Sequence, residues 1–311
     1  MWRYIAKRLL QLIPVFLIVY TIVFFIMHAL PGDPAMLMLA GAEGGAISPE
    51  RIEILREQMG LNEPLIVQYT RYLGNILFKA DFGNSIRLRS PVRDLILSMF
   101  GSTISLSLVG LGFSIIIGTG LGIMAALRQN SWWDTLTTVM SYIGVSMPVF
   151  WLGLLLIFFF SFQLGWFPSA GGEGFKSLIL PGFTLGFASA GVVSRLTRSS
   201  LIEILNEDYI RTARAKGLKN SKVILNHAVK NALIPVITMI GLQFGSMLAG
   251  AVVTETVFSR PGLGRLVVNA ILWKDYPLIQ GIVLFMAAMY LLVNLLVDVS
   301  YAYLDPRIRF D

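Results

Sequence analysis

The chain has 311 residues, 55% of them hydrophobic and 14% charged, with a mean hydropathy of +0.71. Soluble proteins carry about a quarter charged residues, so this is the composition of an integral membrane protein. The absence of cysteine excludes a disulfide framework, thiolate metal sites and thiol catalysis, and the net charge of +7 must first be placed relative to a bilayer before nucleic acid is invoked.

Apolar runs of membrane-crossing length give six spans, roughly 9–30, 102–127, 135–162, 178–198, 232–254 and 279–302. The expected class is therefore all-α, with six transmembrane helices. The first run follows MWRYIAKRLL, is too long for a signal-peptide core and has no small-residue cleavage site after it, so it reads as an uncleaved anchor. Residues 31–98 form an extracytoplasmic subdomain with seven basic and eight acidic side chains. Within it Ser48 caps a helix, Pro49 opens it and Gly60 ends it, with Ile52, Leu55 and Met59 as its apolar face. Gly182, Gly186 and Gly191 dilute the fourth span, and glycine in a membrane helix often marks close packing. The outer loop 255–278 turns at Pro261, Gly262 and Gly264, carries LVVNAIL as a short interfacial helix, and places Trp273 and Tyr276 in an aromatic belt.

Lysine and arginine set the orientation. With the N-terminus inside, cytoplasmic segments hold fourteen of them and the short outer loops four, namely Lys176, Arg260, Arg265 and Lys274. Both termini are thus expected in the cytoplasm, and nucleic acid is not needed to explain the charge. The resulting division is an N-terminal helix at 1–30, the outer subdomain at 31–98, a five-helix core at 99–302 with a cytoplasmic segment at 203–231, and a tail at 303–311.

Chemistry of its own is poorly supported. There is no HExxH zinc motif and no GxxxxGK[ST] phosphate loop. Ser146 in GVSMP would need a base, and His28 and His227 fall at the wrong places along the chain. No catalytic residue and no metal site is expected. A membrane-anchored assembly factor and an ion-coupled carrier are the readings from other classes. For a carrier, the acidic residue well inside a span is Asp298, on the same helix face as Asn294, and the two form either a pathway pair or a structural one.

The segment 208–235, DYIRTARAKGLKNSKVILNHAVKNALIP, is basic and amphipathic between two apolar runs. Its first piece starts at Asp208 and stops at Gly217, which suits the helix dipole and a C-terminal stop. Ala213 and Gly217 make a small-residue contact patch flanked by Arg211, Arg214 and Lys216. In the second piece Ile224, Leu225, Ala228, Val229 and Ala232 form the apolar stripe, opposite Lys222, Asn226 and Lys230. A lipid-lying loop explains the charge. A small patch ringed by cations fits a helix seated in a groove of a cytoplasmic protein better.

At EDYIRTARAKG and HAVKNALIP the sequence resembles the cytoplasmic EAA motif of permease subunits of binding-protein-dependent ABC importers, in the dipeptide/oligopeptide/nickel branch. Arg211-Thr212-Ala213 stands where the wider motif has Glu-Ala-Ala. The resemblance extends through LPGDP (30–34), LREQMGLNEPLIVQY (55–69), ADFGNS (80–85), TETVFSRPGLGR (254–265), KDYPLIQG (274–281) and NLLVDVSYAYLDPRIR (294–309). It implies a type I importer permease fold in the bacterial inner membrane. It also implies that Asp208, Tyr209, Arg211, Thr212, Ala213, Arg214, Ala215, Lys216 and Gly217 form a coupling helix docked on an ATPase. The implied partners are two ATPase subunits, which would bind ATP and Mg in place of any cofactor in this chain. A second homologous permease, making a heterodimer, and an extracytoplasmic solute-binding protein complete the set. The implied cargo is a di- or oligopeptide, including glutathione, with nickel or a metal chelate as the alternative within the family.

Overall fold

The computed structural model describes residues 2–29, 35–36, 49–171 and 174–304. The Ser48 cap, the LPGDP line and the tail from residue 305 fall outside these, as do the side chains of Leu55 and Met59. Regular structure among the described residues is helical, with one isolated bridge between Asn84 and Pro91. Five unbroken helical stretches are long and apolar enough to cross a membrane: Ile5–Ala29, Val92–Leu127, Lys176–Leu205, Asn220–Val257 and Tyr276–Ser300. The chain separates into two compact units, one of residues 6–102 and 261–291, the other of 1–5, 103–260 and 292–311.

The first of these units contains α1 (Trp2–Ala29) from Ala6 onward, then α2 (Pro49–Met59) and α3 (Leu65–Lys79). Gly60 ends α2 in the left-handed region at φ 68°, as the sequence predicts. Aromatic side chains hold α3 against α1. Tyr20, Val23 and Phe24 form a cluster with Ile76 and Leu284, onto which Tyr69, Tyr72 and Leu73 pack. The Tyr20 hydroxyl donates to the Tyr69 carbonyl at 2.7 Å, and the hydroxyls of Thr21 and Tyr69 lie 2.9 Å apart. After α3 the backbone turns tightly from Asp81 to Pro91. Asp275, wholly buried, ties this turn to the start of the last helix, α12 (Tyr276–Leu304). Its carboxylate accepts from the Ser85 hydroxyl (2.5 Å), the Arg87 amide (3.0 Å) and the Leu278 amide (3.3 Å). Two sequence lines 190 residues apart, ADFGNS and KDYPLIQG, thus meet at one carboxylate. The short helix expected in the outer loop is α11 (Leu263–Leu272), ahead of α12. Trp273 is exposed as the aromatic belt requires, but Tyr276 is buried, because the first turn of α12 packs inward there.

The second unit is built around α7 (Lys176–Leu205), the stretch with the weakest apolar signal and yet the most enclosed span: two-thirds of its most apolar window is buried. Its glycines explain both facts. A Cβ at Gly182 would stand 2.5 Å from Val109 Cγ1, and one at Gly186 would strike the Gly110 carbonyl oxygen, both on α4 (Val92–Leu127). A Cβ at Gly191 would strike the Ser141 carbonyl oxygen on α5 (Trp132–Ser146). Gly118 and Gly122 return the arrangement from α4 toward Val193 and Ser194. Backbones meet directly, the close approach that small residues permit inside a membrane.

One expected span is not a straight helix. The run read as 135–162 breaks at Met147–Pro148 into α5 and α6 (Val149–Leu156), the latter continuing as a π-wound stretch to Gln163, with a bend of 107°. Pro148 lacks an amide hydrogen and disfavours helical backbone in the residue before it, and Met147 is accordingly extended at φ −75°, ψ 127°. Composition alone cannot register this break, because the flanking residues are apolar on both sides.

Candidate functional site

The basic segment begins where α7 ends. α8 (Asp208–Ala215) follows after two residues, and α9 (Asn220–Lys222) leads through a π-wound turn, Val223–Val229, into α10 (Lys230–Val257). Asp208 lies in the first turn of α8 and Arg214 in its last, the charge order that complements a helix dipole. Thr212 donates its hydroxyl back to the Asp208 carbonyl at 3.0 Å, and the Gly217 amide reaches the Arg214 carbonyl at 3.0 Å.

Two side chains root this short helix. Ile210, with no exposed surface, and Ala213 enter a cluster with Ala126 of α4, Leu201 of α7, Val223, Ala228 and Val229 of the π turn, and Ala232 of α10. The other candidate residues, Asp208, Tyr209, Arg211, Thr212, Arg214, Ala215, Lys216 and Gly217, are exposed. Lys219 and Lys222 extend the cationic surface. The Tyr209 hydroxyl accepts from the Asn231 side-chain amide at 3.0 Å, fixing one edge of the helix to the start of α10. The Arg211–Asp208 pair, 3.5 Å apart and open to solvent, contributes little to holding it.

The geometry corrects two expectations. Ala213 is not part of an outward small-residue patch: it faces the chain's own core, in the cluster with Leu201 of α7 and Val223 of the π turn. Gly217 does face outward, at φ 77° with open space where a Cβ would be, so glycine is needed there for backbone shape and not for room. In the second piece Leu225 is 63% exposed, while Val223 takes the buried position. A π turn packs more residues per turn than the α spacing used to read the stripe, so the apolar face comes round at a different residue.

Three polar constellations surround this segment or lie elsewhere in the same unit. Asp134, on the first turn of α5, receives a bidentate pair from Arg198 of α7, Nε at 2.7 Å and Nη2 at 2.8 Å, with the Asn130 amide at 3.0 Å. Arg128 and Arg195 lie over Trp133 and Tyr142, each with its guanidinium carbon a little over 5 Å from the ring centroid. At the far end of α10, Glu255 is entirely buried and accepts from the Thr103 hydroxyl at 2.6 Å. Arg260 is buried close by and reaches the Ser177 hydroxyl at 3.3 Å; burial pulls its guanidinium below the usual range, and Glu255 opposes this. Asp134 is a site residue that no motif in the sequence marks, and Glu255, expected in an outer loop, instead lies in the last turn of α10. The available signal was TETVFSR, a carboxylate at the end of an apolar run with a cation five residues on. Asn294 and Asp298 share a face of α12 as expected; Asn294 Oδ1 is buried without a hydrogen-bond partner among the described residues, and Asp298 is half-buried. Among the described residues no group of acidic or histidine side chains is arranged to hold a metal.

Comparison with known proteins accounts for the whole chain. A model of the family described as "Binding-protein-dependent transport system inner membrane component" matches residues 118–310, and a model of the N-terminal part of such membrane components matches residues 1–107. The glutathione transport system permease protein GsiC of Salmonella paratyphi A is 47% identical over 310 residues, with each chain fully covered. GsiC of Escherichia coli K12 is 46% identical over the same length. Among solved structures, a chain of the inward-facing MetNI methionine ABC transporter superposes with a TM-score of 0.56 at 16% identity, covering 68% of this chain and 96% of its own. A chain of an amino acid ABC transporter crystallised with histidines gives 0.52, covering 69% and 94%. The structural matches establish a shared ABC-transporter permease fold. The sequence is that of a multi-pass inner-membrane protein, and the chain belongs to the inner-membrane permease components of binding-protein-dependent ABC importers.

Proposed function

We propose that this permease carries glutathione or another short peptide into the cytoplasm by alternating access, and that the 208–217 segment is where a separate ATPase drives it. For the cargo, the observation in support is full-length identity of 46–47% to permeases named for glutathione. For the coupling, it is the division of α8 into a buried root, Ile210 and Ala213, and an exposed cationic face. A helix anchored in this way passes displacement of its outer face to α4, α7 and α10 together.

On this reading the chain is not an enzyme and needs no cofactor; ATP and Mg belong to two ATPase subunits. A second, different permease completes the pathway, and an extracytoplasmic binding protein delivers the solute. Both termini are cytoplasmic, in keeping with the bias of lysine and arginine, and residues 31–98 with the loop 255–278 face the binding protein. The chain divides into a helix at 1–30, the outer subdomain and a five-helix core at 99–302, in which Asn294 and Asp298 are a structural pair.

The test is co-purification of the chain with the products of its neighbouring genes, for wild type and for Arg211→Glu with Arg214→Glu. Gly217 is a poorer probe, because its φ of 77° strains any side chain whether or not a partner is present. The double charge reversal is expected to lose the ATPase while leaving membrane insertion and the thermal midpoint unchanged. An ATPase that still co-purifies, and is still stimulated by the loaded binding protein, would remove α8 from the docking role. Uptake of labelled glutathione that short peptides suppress is expected for the cargo, and uptake confined to a metal chelate would overturn it.

A further inference from the structure

We infer that α3 lies within the outer leaflet of the bilayer, with acyl chains as the partner of its outward face. The outer subdomain expected at 31–98 would then be lipid-embedded at α3 instead of wholly aqueous. Depth carries the argument. α1 crosses the membrane as Ile5–Ala29, and α3 packs on it from His28, whose ring nitrogen lies 3.3 Å from Gln68 Oε1, down to Tyr20 and Val19. Nine residues of helix from Ala29 to Tyr20 correspond to about 13 Å, against roughly 15 Å for half the hydrocarbon core. A second span gives the same depth independently. Leu284 and Val283 join the cluster with Ile76 and Leu73, and Leu284 lies eight residues into the span that begins at Tyr276, about 12 Å. A helix touching both spans at that level has its opposite side among lipid tails.

That opposite side has the matching chemistry. Ile66, Val67, Leu77 and Phe78 are exposed, Ile66 at 67% and Phe78 at 87%, with Thr70 and Gly74 between them on the same arc. In water such a surface on a 15-residue helix would be an aggregation liability. It continues the lipid-facing side of α1, where Ile18, Ile22, Phe25 and Ile26 are likewise exposed. Polar groups are kept to one edge and the two ends, where Lys79 closes the last turn and its long stem can carry the ammonium to the headgroups. Arg71 pairs with Glu63, and the Gln68 amide is spent on the carbonyls of Leu61 and Glu63. The Thr70 hydroxyl donates within the helix, to the Ile66 carbonyl at 3.0 Å, and the C-terminal carbonyls of Asn75 and Ile76 receive the amides of Asp81 and Ala80. The Thr70 hydroxyl on the outward arc and these C-terminal carbonyls are therefore satisfied internally, as a lipid-exposed face requires, while the Tyr72 hydroxyl, turned inward, is buried with no partner among the described residues.

The absence of cysteine from the chain makes the test direct. Ile66→Cys, Leu77→Cys and Phe78→Cys, with Arg71→Cys at the polar edge, would each be nitroxide-labelled in the assembled importer in lipid nanodiscs, and the preparation with the unmutated chain gives the background. Collision with oxygen is expected to exceed collision with a water-soluble nickel chelate severalfold at 66, 77 and 78, and to reverse at 71. Chelate collision dominating at all four places α3 in water and overturns the inference. Low collision with both reagents at 66 and 78 means a protein surface covers the face, and overturns it equally.

Discussion

Glu255 poses the sharpest question at the scale of single residues, because a carboxylate with no exposed surface is kept only with partners. Thr103 donates to it at 2.6 Å and Arg260 lies near it, itself buried and tied to Ser177. Breaking a buried pair by deleting one partner costs roughly 3–5 kcal/mol, most of it from the charge left behind. Glu255→Ala is therefore expected to lower the thermal unfolding midpoint of the detergent-solubilised chain clearly, and Glu255→Gln, which keeps an acceptor for Thr103, to lower it less. Tryptophan fluorescence on heating measures both, and equal midpoints for wild type and Glu255→Ala would show that the cluster holds nothing. Gly217 and Ala213 make the complementary point. Both are small residues in one motif, but one serves an outward turn and the other a tight internal contact, a distinction that residue type does not contain.

Among the helices, what could be read from sequence was hydrophobic run length. Each expected run coincides with a long apolar helical stretch or, for 135–162, with the bent pair α5–α6, although α4 begins at Val92 against the expected 102 and the stretch into α10 at Asn220 against the expected 232. What could not be read was geometry inside a run. The break at Met147–Pro148 is invisible to hydropathy, although Pro148 itself was available as a warning. The π turn at Val223–Val229 shifted the buried face by changing the number of residues per turn, which no α-period template anticipates. This predicts an inversion that an α-helical reading would get wrong. Val223→Asn buries an amide where no partner waits and should cost about 2 kcal/mol or more. Leu225→Asn, on an exposed position, should stay within about 0.5 kcal/mol. Relative accumulation in the membrane and the heating midpoint of each variant check the pair, and a more damaging change at Leu225 would restore the α-helical stripe. Asp275 shows the converse limit: ADFGNS and KDYPLIQG were each recognisable, but their meeting at one side chain needed the fold.

For the molecule as a whole, the bent pair α5–α6 decides the topology, since it either completes a sixth crossing or returns to the side it left. Six crossings put Gln129 and Ser169, both exposed beyond its two ends, on opposite sides of the membrane. Gln129→Cys and Ser169→Cys, labelled with an impermeant maleimide in intact spheroplasts, are expected to differ, with Ser169→Cys reacting and Gln129→Cys protected until the membrane is opened. Equal labelling would make the pair a re-entrant hairpin and place the C-terminus opposite the N-terminus. The glycines of α7 bear on how any such molecule can move. Gly186 and Gly191 meet backbone carbonyls of α4 and α5, and Gly182 meets the β-branched side chain of Val109, so little at these contacts can re-sort its rotamers to make room. A slide of one turn would put Arg195 at one glycine's place, or Leu178 and Phe187 at those of two others. A one-turn slide of α7 along α4 and α5 is therefore expected to be blocked, which removes one of the ways packed helices rearrange. The part of α4 from Thr103 on, with α5 and α7, is then expected to move as one piece, and the conformational freedom of a transport cycle to lie outside these contacts.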